Sequence, residues 1–349
     1  MFLFVAVPLF LFLFSRKIKL PSVLFSVTVL FLSIILGFRG TDVGVDTHTY
    51  SDYYDYVGTG GSDHMEIGWN ILCITSKNIG LNFHEFTFLV ACLTMLCFSI
   101  PMRRLPSNQG KYFGLFFFMC FGYYILMFNG MRQFLAVSLC FLSYMLLEDG
   151  KIAKSLLLVI GASFIHTSAL IVIPVILLLT KVNRLDLRTI LVLLMISFLI
   201  GLCVNERFLS LFSGKYSSYL FLENAFRTKD IAYLLLIVLP ANAFMVYSFI
   251  NAPYVLKNSY WMKLFFVSTL VLNVLQRLLI GPRIVYYFSV SEIIVVSLLA
   301  LQNNYHMNRG RVKTYKIISF AYAIITYIRF LIGEVNLDYG GVIPYSMQF

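Results

Sequence analysis

Apolar runs of roughly 15 to 20 residues recur along the whole chain, separated by mostly short polar stretches. They fall at Phe2–Phe14, Leu20–Phe38, Phe83–Ile100, Tyr112–Phe128, Phe134–Leu147, Leu156–Leu179, Leu187–Val204, Ile231–Ile250, Leu264–Ile280, Ile284–Leu301 and Ile317–Gly333. Runs of this length match the hydrocarbon core of a bilayer, where each backbone amide needs a partner within its own segment. The pattern therefore predicts an all-α, polytopic transmembrane bundle of about 10–12 helices, with residues 1–349 forming a single integral membrane domain. Two longer polar stretches interrupt it, at 39–82 and 205–230, and both read as external loops.

Charge orients the helices. Arg16/Lys17/Lys19, Arg103/Arg104/Lys111, Lys151/Lys154, Lys181/Arg184/Arg188, Lys257/Lys263 and Arg309/Arg311/Lys313/Lys316 hold 17 of the 27 basic residues and read as cytoplasmic. The same stretches carry only three acids, Glu148, Asp149 and Asp186. The first long stretch instead carries Asp42, Asp46, Asp52, Asp55, Asp63 and Glu66. In the first apolar run the basic residues follow the hydrophobic ones, the reverse of a secretory signal, so it reads as a short helix with its N-terminus outside. Leu156–Leu179 lies between two loops of cytoplasmic character, and its middle reads GASFIHTSALIVIP. That polar interruption allows two half-helices turning at His166; one long helix with a loop misassigned elsewhere is the alternative.

Composition agrees: 60% of residues are hydrophobic and 12% charged, about half the charge of a soluble domain. The net charge of +11 resides in orienting loops, and no basic stretch interleaved with aromatics forms a nucleic-acid surface. The six cysteines show neither CxxC nor Cys/His spacing and read as buried thiols.

Four clusters carry possible chemistry. FRGTDVGVDTHTYSDYYDY begins at Phe38 and offers Arg39, Asp42 and Asp46, then Tyr50 within a tyrosine-rich run. The carboxylates suit acid–base work, and the tyrosines either stack on sugar rings or form an interfacial aromatic belt. FNGMRQFLA places Asn129, Arg132 and Gln133 at an external turn. His166, followed by Thr167 and Ser168, interrupts an apolar run, and an ionisable residue within a membrane segment points to function. NVLQRLLIGPRIVYYF supplies Arg277, Arg283, Tyr286 and Tyr287. Arg39, Arg132, Arg277, Arg283 and Arg329 share a property: all sit near external helix ends, where orientation rules place few cations. Guanidinium grips phosphate oxygens in a planar, bidentate fashion that ammonium cannot match. The five therefore read as a diphosphate-binding set, with headgroup binding and snorkelling as the plain alternative. No P-loop, HExxH or GxSxG occurs, and the Asp42/Asp46 pair alone is a weak metal signal.

RGTDVGVDTHTY from Arg39, EIGWNIL from Glu66, NGMRQFLA from Asn129, SFIHTSAL from Ser163 and the Arg283/Tyr286/Tyr287 region together resemble the Wzy-type polysaccharide repeat-unit polymerases, in particular their EpsG-like branch. The resemblance implies an inverting glycosyltransferase of the bacterial inner membrane with its site facing the periplasm. It would move a growing glycan from one undecaprenyl-diphosphate carrier onto the sugar of another lipid-linked unit, as in O-antigen, capsule or exopolysaccharide synthesis. No nucleotide sugar, metal or other cofactor is implied. Its partners would be the lipid-linked oligosaccharide, membrane lipids, a chain-length regulator and a flippase. In that scheme Arg132, Arg277 and Arg283, with Arg39 and Arg329, hold the departing diphosphate. His166, Asp46 or Asp42 serves as the base, His166 first, while Tyr50, Glu66, Asn129, Gln133, Tyr286 and Tyr287 line the substrate. An O-antigen ligase shares the same donor, a flippase would spread its charges through the midplane, and an acyltransferase could use His166 but lacks its usual motifs.

Overall fold

The computed structural model describes residues 6–8, 10, 11, 22–57, 59, 65–204, 233–278, 281–301, 309–336, 341–343 and 345–348. Most of the first apolar run, Arg16, Lys17, Lys19, Asp63 and the 205–230 stretch lie outside these residues. Among the described residues every element beyond an isolated bridge is helical. Four helices there are long and apolar enough to cross a membrane, or five if one bent pair is a single span, and several shorter apolar helices accompany them. The chain is an all-α, multi-pass membrane bundle.

The fold divides into two compact units, residues 1–174 with 296–349, and residues 175–295. The first unit contains α1 (Ser22–Gly37), α2 (Thr47–Tyr56), α3 (Ile67–Asn78), α4 (Phe83–Arg103), α5 (Ser107–Cys120), α6 (Met131–Glu148) and α7 (Ile152–Ile165). A 3₁₀ turn at Thr167–Ile171 follows, then α8 (Val172–Leu179), which runs into the second unit. The second unit continues with α9 (Leu187–Cys203), α10 (Leu239–Asn251, preceded by a π-turn at Leu234–Val238), α11 (Tyr260–Val274) and α12 (Gly281–Ser289). After α12, α13 (Ser291–Leu301) leads back into the first unit, which α14 (Arg309–Asn336) completes.

In the first unit α4 packs against both α1 and α6, and α6 against α7. Asn82 starts α4 with a reciprocal cap: its Oδ1 accepts from the Glu85 amide at 2.9 Å, and Glu85 Oε2 accepts from the Asn82 amide at 2.8 Å. At the opposite end Arg104 Nη1 donates to Asp149 Oδ1 at 2.6 Å. That contact joins the α4–α5 and α6–α7 loops, two loops that charge alone assigns to one side. The Phe320 ring of α14 packs edge-on against Phe113 and at a tilt against Phe116 and Phe117 of α5.

The first polar stretch is more than a loop. It folds into α2 and α3, which lie over the α4 N-terminus and the start of α6. Tyr50 and Tyr54, one turn apart on α2, pack with Trp69 and Cys73 of α3 and with Phe83 and Phe86 of α4. Lys77 of α3 locks the layer by donating to the carbonyls of Tyr54, Asp55 and Val57 at 3.2, 2.6 and 3.1 Å, at the end of α2 where helix carbonyls lack partners. Lys77→Met removes all three bonds. It is expected to destabilise this layer by about 1.5–3 kcal/mol, measured as faster proteolysis within residues 47–78 at an unchanged rate elsewhere.

The second unit is held by buried amides. Asn273 of α11 donates to the Leu194 carbonyl at 3.2 Å and to Ser197 Oγ at 3.0 Å on α9, and bonds with Asn242 of α10. In an apolar bundle such interhelical bonds satisfy groups that lipid cannot. The apolar run at 284–301 is bent by 44° between α12 and α13.

Candidate active site

α3 opens at Glu66, whose side chain makes no cap to its own helix. Its carboxylate turns instead to the end of α7. Oε1 takes His166 Nδ1 at 3.1 Å, the Thr167 amide at 3.1 Å and Thr167 Oγ1 at 3.2 Å. Oε2 takes Nη1 of Arg132, the second residue of α6. The helix of residues 152–165 stops at His166 because that residue is extended (φ −150°, ψ 112°). The break points its imidazole and the first amide of the 3₁₀ turn toward the carboxylate.

Three elements therefore meet on one carboxyl group. Gly68 makes the approach close enough: a Cβ there would stand 2.7 Å from the Phe164 carbonyl oxygen. Arg132 also lies over the ring of Tyr50, at 5.8 Å to its centroid. Tyr53 of α2 bonds Asn70 Oδ1, and Asn70 Nδ2 donates to the Met65 carbonyl at 3.2 Å, bracing the residue before Glu66.

The electrostatics follow. Burial alone would raise the Glu66 pKa, but the bonds from His166 and Thr167 and the charge of Arg132 outweigh it and hold the carboxyl at about 2. An ionised carboxylate only accepts, so the proton of a neutral His166 ring sits on Nδ1 and Nε2 presents a lone pair. Because the folded pKa is lowered, the stabilisation from Glu66 is full above its ordinary value of 4.5 and is lost as pH falls through about 2. Thermal midpoints of wild type and Glu66→Gln are expected to differ most above about pH 4.5 and to converge toward pH 2.

The other sequence candidates occupy varied settings. Asp42 is exposed and bonds His48 Nε2 at 3.1 Å, while Asp46 stands at the N-cap of α2. Among the described residues no three His, Cys, Asp or Glu side chains are placed to hold a metal ion. Arg39 is buried at 2% exposure, with Nε toward Thr47 Oγ1 at 3.3 Å and Nη1 donating to the Leu36 carbonyl at 2.7 Å. Its Nη2, Arg132 Nε and Asn129 Oδ1 are buried without a hydrogen-bond partner. Gln133 is buried on α6, and Arg329 lies over the Phe330 ring on α14. Arg277, Arg283, Tyr286 and Tyr287 belong to the second unit. There Arg277 donates to the Leu202 carbonyl at 3.0 Å near the end of α9, Arg283 is exposed, and Tyr287 is buried.

Sequence reasoning placed Glu66 on the substrate and Arg132 on a diphosphate, and missed that Glu66 binds both Arg132 and His166. It also passed over Gly68 and Thr167 as working parts. The signals were present as a glycine two positions after the glutamate and a hydroxyl beside the histidine.

The sequence model of the EpsG family matches residues 22–347. That span includes α1 to α14 and every candidate residue named above. Neither a curated protein nor a solved structure matches the chain. With the family match running nearly end to end over a multi-pass helical bundle, the chain belongs to the EpsG family, membrane proteins of polysaccharide biosynthesis associated with glycosyltransferase-like polymerisation.

Proposed function

We propose that the protein polymerises oligosaccharide repeat units carried on undecaprenyl diphosphate, by inverting glycosyl transfer at the periplasmic face of the inner membrane. The observation that carries this reading is the Glu66–His166 pair, with Arg132 on the other carboxylate oxygen. Such a pair is an oriented base beside a guanidinium, the combination that transfer from a diphosphate requires.

In this mechanism the acceptor is the terminal sugar hydroxyl of one lipid-linked unit. His166 Nε2 takes its proton as the oxygen attacks the anomeric carbon of the second, lipid-linked glycan. The new C–O bond forms as the bond from that carbon to the diphosphate oxygen breaks, and the configuration inverts. Glu66 fixes the imidazole tautomer and stabilises the imidazolium. The proton then passes to solvent, and the undecaprenyl diphosphate departs as an anion. That leaving group needs charge neutralisation more than a proton donor, a role for Arg132 with Arg39 and Arg329 of the first unit. Asp42 and Asp46 remain the alternative bases, and Tyr50, Asn129 and Gln133 of the first unit the sugar-contacting set.

The test is the surface glycan of a strain lacking this protein, complemented with wild type, Arg132→Ala or His166→Ala. Single repeat units persisting on the lipid acceptor, with long chains restored only by wild type, support polymerisation. Loss of all attached glycan assigns a ligase or flippase instead, and an unchanged ladder overturns the reading.

A further inference from the structure

Arg39 is a buried cation at 2% exposure. Its guanidinium faces the Phe128 ring at 5.8 Å, and among the described residues no carboxylate pairs with it. Burial brings its pKa down to about 10, so it remains charged at neutral pH. A desolvated, unpaired guanidinium is costly, and a buried nitrogen without a partner marks where an anionic ligand would repay that cost.

The C-terminal segment, 341–343 and 345–348, lies over this residue. Gly44 N donates to the Gly341 carbonyl at 2.8 Å, Gly40 N to the Ser346 carbonyl at 2.9 Å, and Gln348 N to the Phe38 carbonyl at 2.9 Å. Arg39 and Met347 pair as an antiparallel bridge. Tyr345 reaches beneath, its hydroxyl donating to the Ile35 carbonyl at 2.6 Å and its ring meeting Phe128 edge-on. Ser346, Met347 and Gln348 are nonetheless exposed, and in this segment only Val342 is fully buried. The segment is thus tied by three backbone bonds, the Tyr345 side chain and the Thr41 amide donating to Gln348 Oε1 at 3.3 Å, with Val342 its one fully buried residue, a small set of ties for an element that opens locally.

We propose that the C-terminal segment is a strap that closes over Arg39 and lifts to let its guanidinium meet a phosphate oxygen of the lipid-linked diphosphate. This rests on the polymerase reading for the identity of the anion, and it adds a gate to that site. With the strap down, Arg39 is covered and charged; with it lifted, the unpartnered Nη2 is open to the ligand.

A disulfide staple tests it in the full-length protein. A Cβ at Gly40 would stand 3.4 Å from Ser346 Cβ, next to the range of about 3.5–4.5 Å that disulfides span. Gly40→Cys with Ser346→Cys is expected to lose at least about tenfold of its polymer synthesis on oxidation and to regain it with reductant. Each single variant and wild type should ignore the oxidant. A cross-linked pair that polymerises at its reduced rate overturns the strap and leaves the polymerase reading standing. Should the reduced pair be inactive, hydrogen exchange on wild type decides, with and without farnesyl diphosphate as probe. Joint loss of protection at the Gly40, Gly44 and Gln348 amides supports the strap, and unchanged protection overturns it. That readout holds even if wild type makes no polymer, which would count against the polymerase alone.

Discussion

Replacing Glu66 by glutamine is expected to lower the turnover of polymer synthesis by roughly 10²–10⁴-fold, with the protein still inserted and folded. The carboxylate holds the Nδ1 proton of His166 and collects the Thr167 amide, the Thr167 hydroxyl and Arg132. An amide keeps the shape but has one acceptor oxygen: with that oxygen on His166 and Thr167 its NH2 opposes Arg132 Nη1, and with the amide turned its NH2 opposes the Nδ1 proton. Arg132 would also lose its counter-charge. A second measurement separates catalysis from packing. Residues acting as one unit are not additive, so the Glu66→Gln/His166→Ala double variant should turn over within a few-fold of His166→Ala alone. Multiplying losses would mean that the two side chains work independently.

Gly68→Ala is expected to reduce activity at least about tenfold although it touches no substrate. A Cβ at this position meets Phe164 backbone atoms at 2.7 and 2.9 Å. Backbone of a packed helix end does not yield as a flexible side chain would. α3 must therefore retreat from α7 and take Glu66 with it, and a displacement of about 1 Å is enough to cost two orders of magnitude in rate. Helix propensity runs the other way, since alanine is favoured over glycine by about 1 kcal/mol inside a helix. Lower turnover with a thermal midpoint little changed would locate the effect in the Glu66–His166 geometry. Full activity would show that the close approach is incidental.

The apolar helices were legible because bilayer length and backbone satisfaction leave few options. The Phe83 start of α4 matches its predicted position, and Leu187–Val204 differs from α9 by one residue. The bend between α12 and α13 was not legible. Ile284–Leu301 scans as one apolar run, and its break at the Ser289–Val290–Ser291 junction involves Ser291 Oγ donating to the Phe288 carbonyl at 2.7 Å, a local competition that hydropathy does not register. The stretch at 39–82 reads as an external loop because six acids and four tyrosines fall within it. Its tyrosines at positions 50 and 54 are instead one turn apart, and they bury against Trp69 and Phe86. Of the candidate site, the residue types were readable: a polar break at His166, an unexpected arginine at 132, an acid before a glycine. Their convergence was not, because 100 residues separate Glu66 from His166 and nothing local in either motif names the other.

Purified protein in liposomes, given one synthetic undecaprenyl-diphosphate-linked repeat unit and nothing else, should build chains of increasing length. One undecaprenyl diphosphate should be released per linkage, and each new bond should have the anomeric configuration opposite to that of the donor. A donor consumed without chain growth, or a new linkage that keeps the donor configuration, would contradict inverting polymerisation.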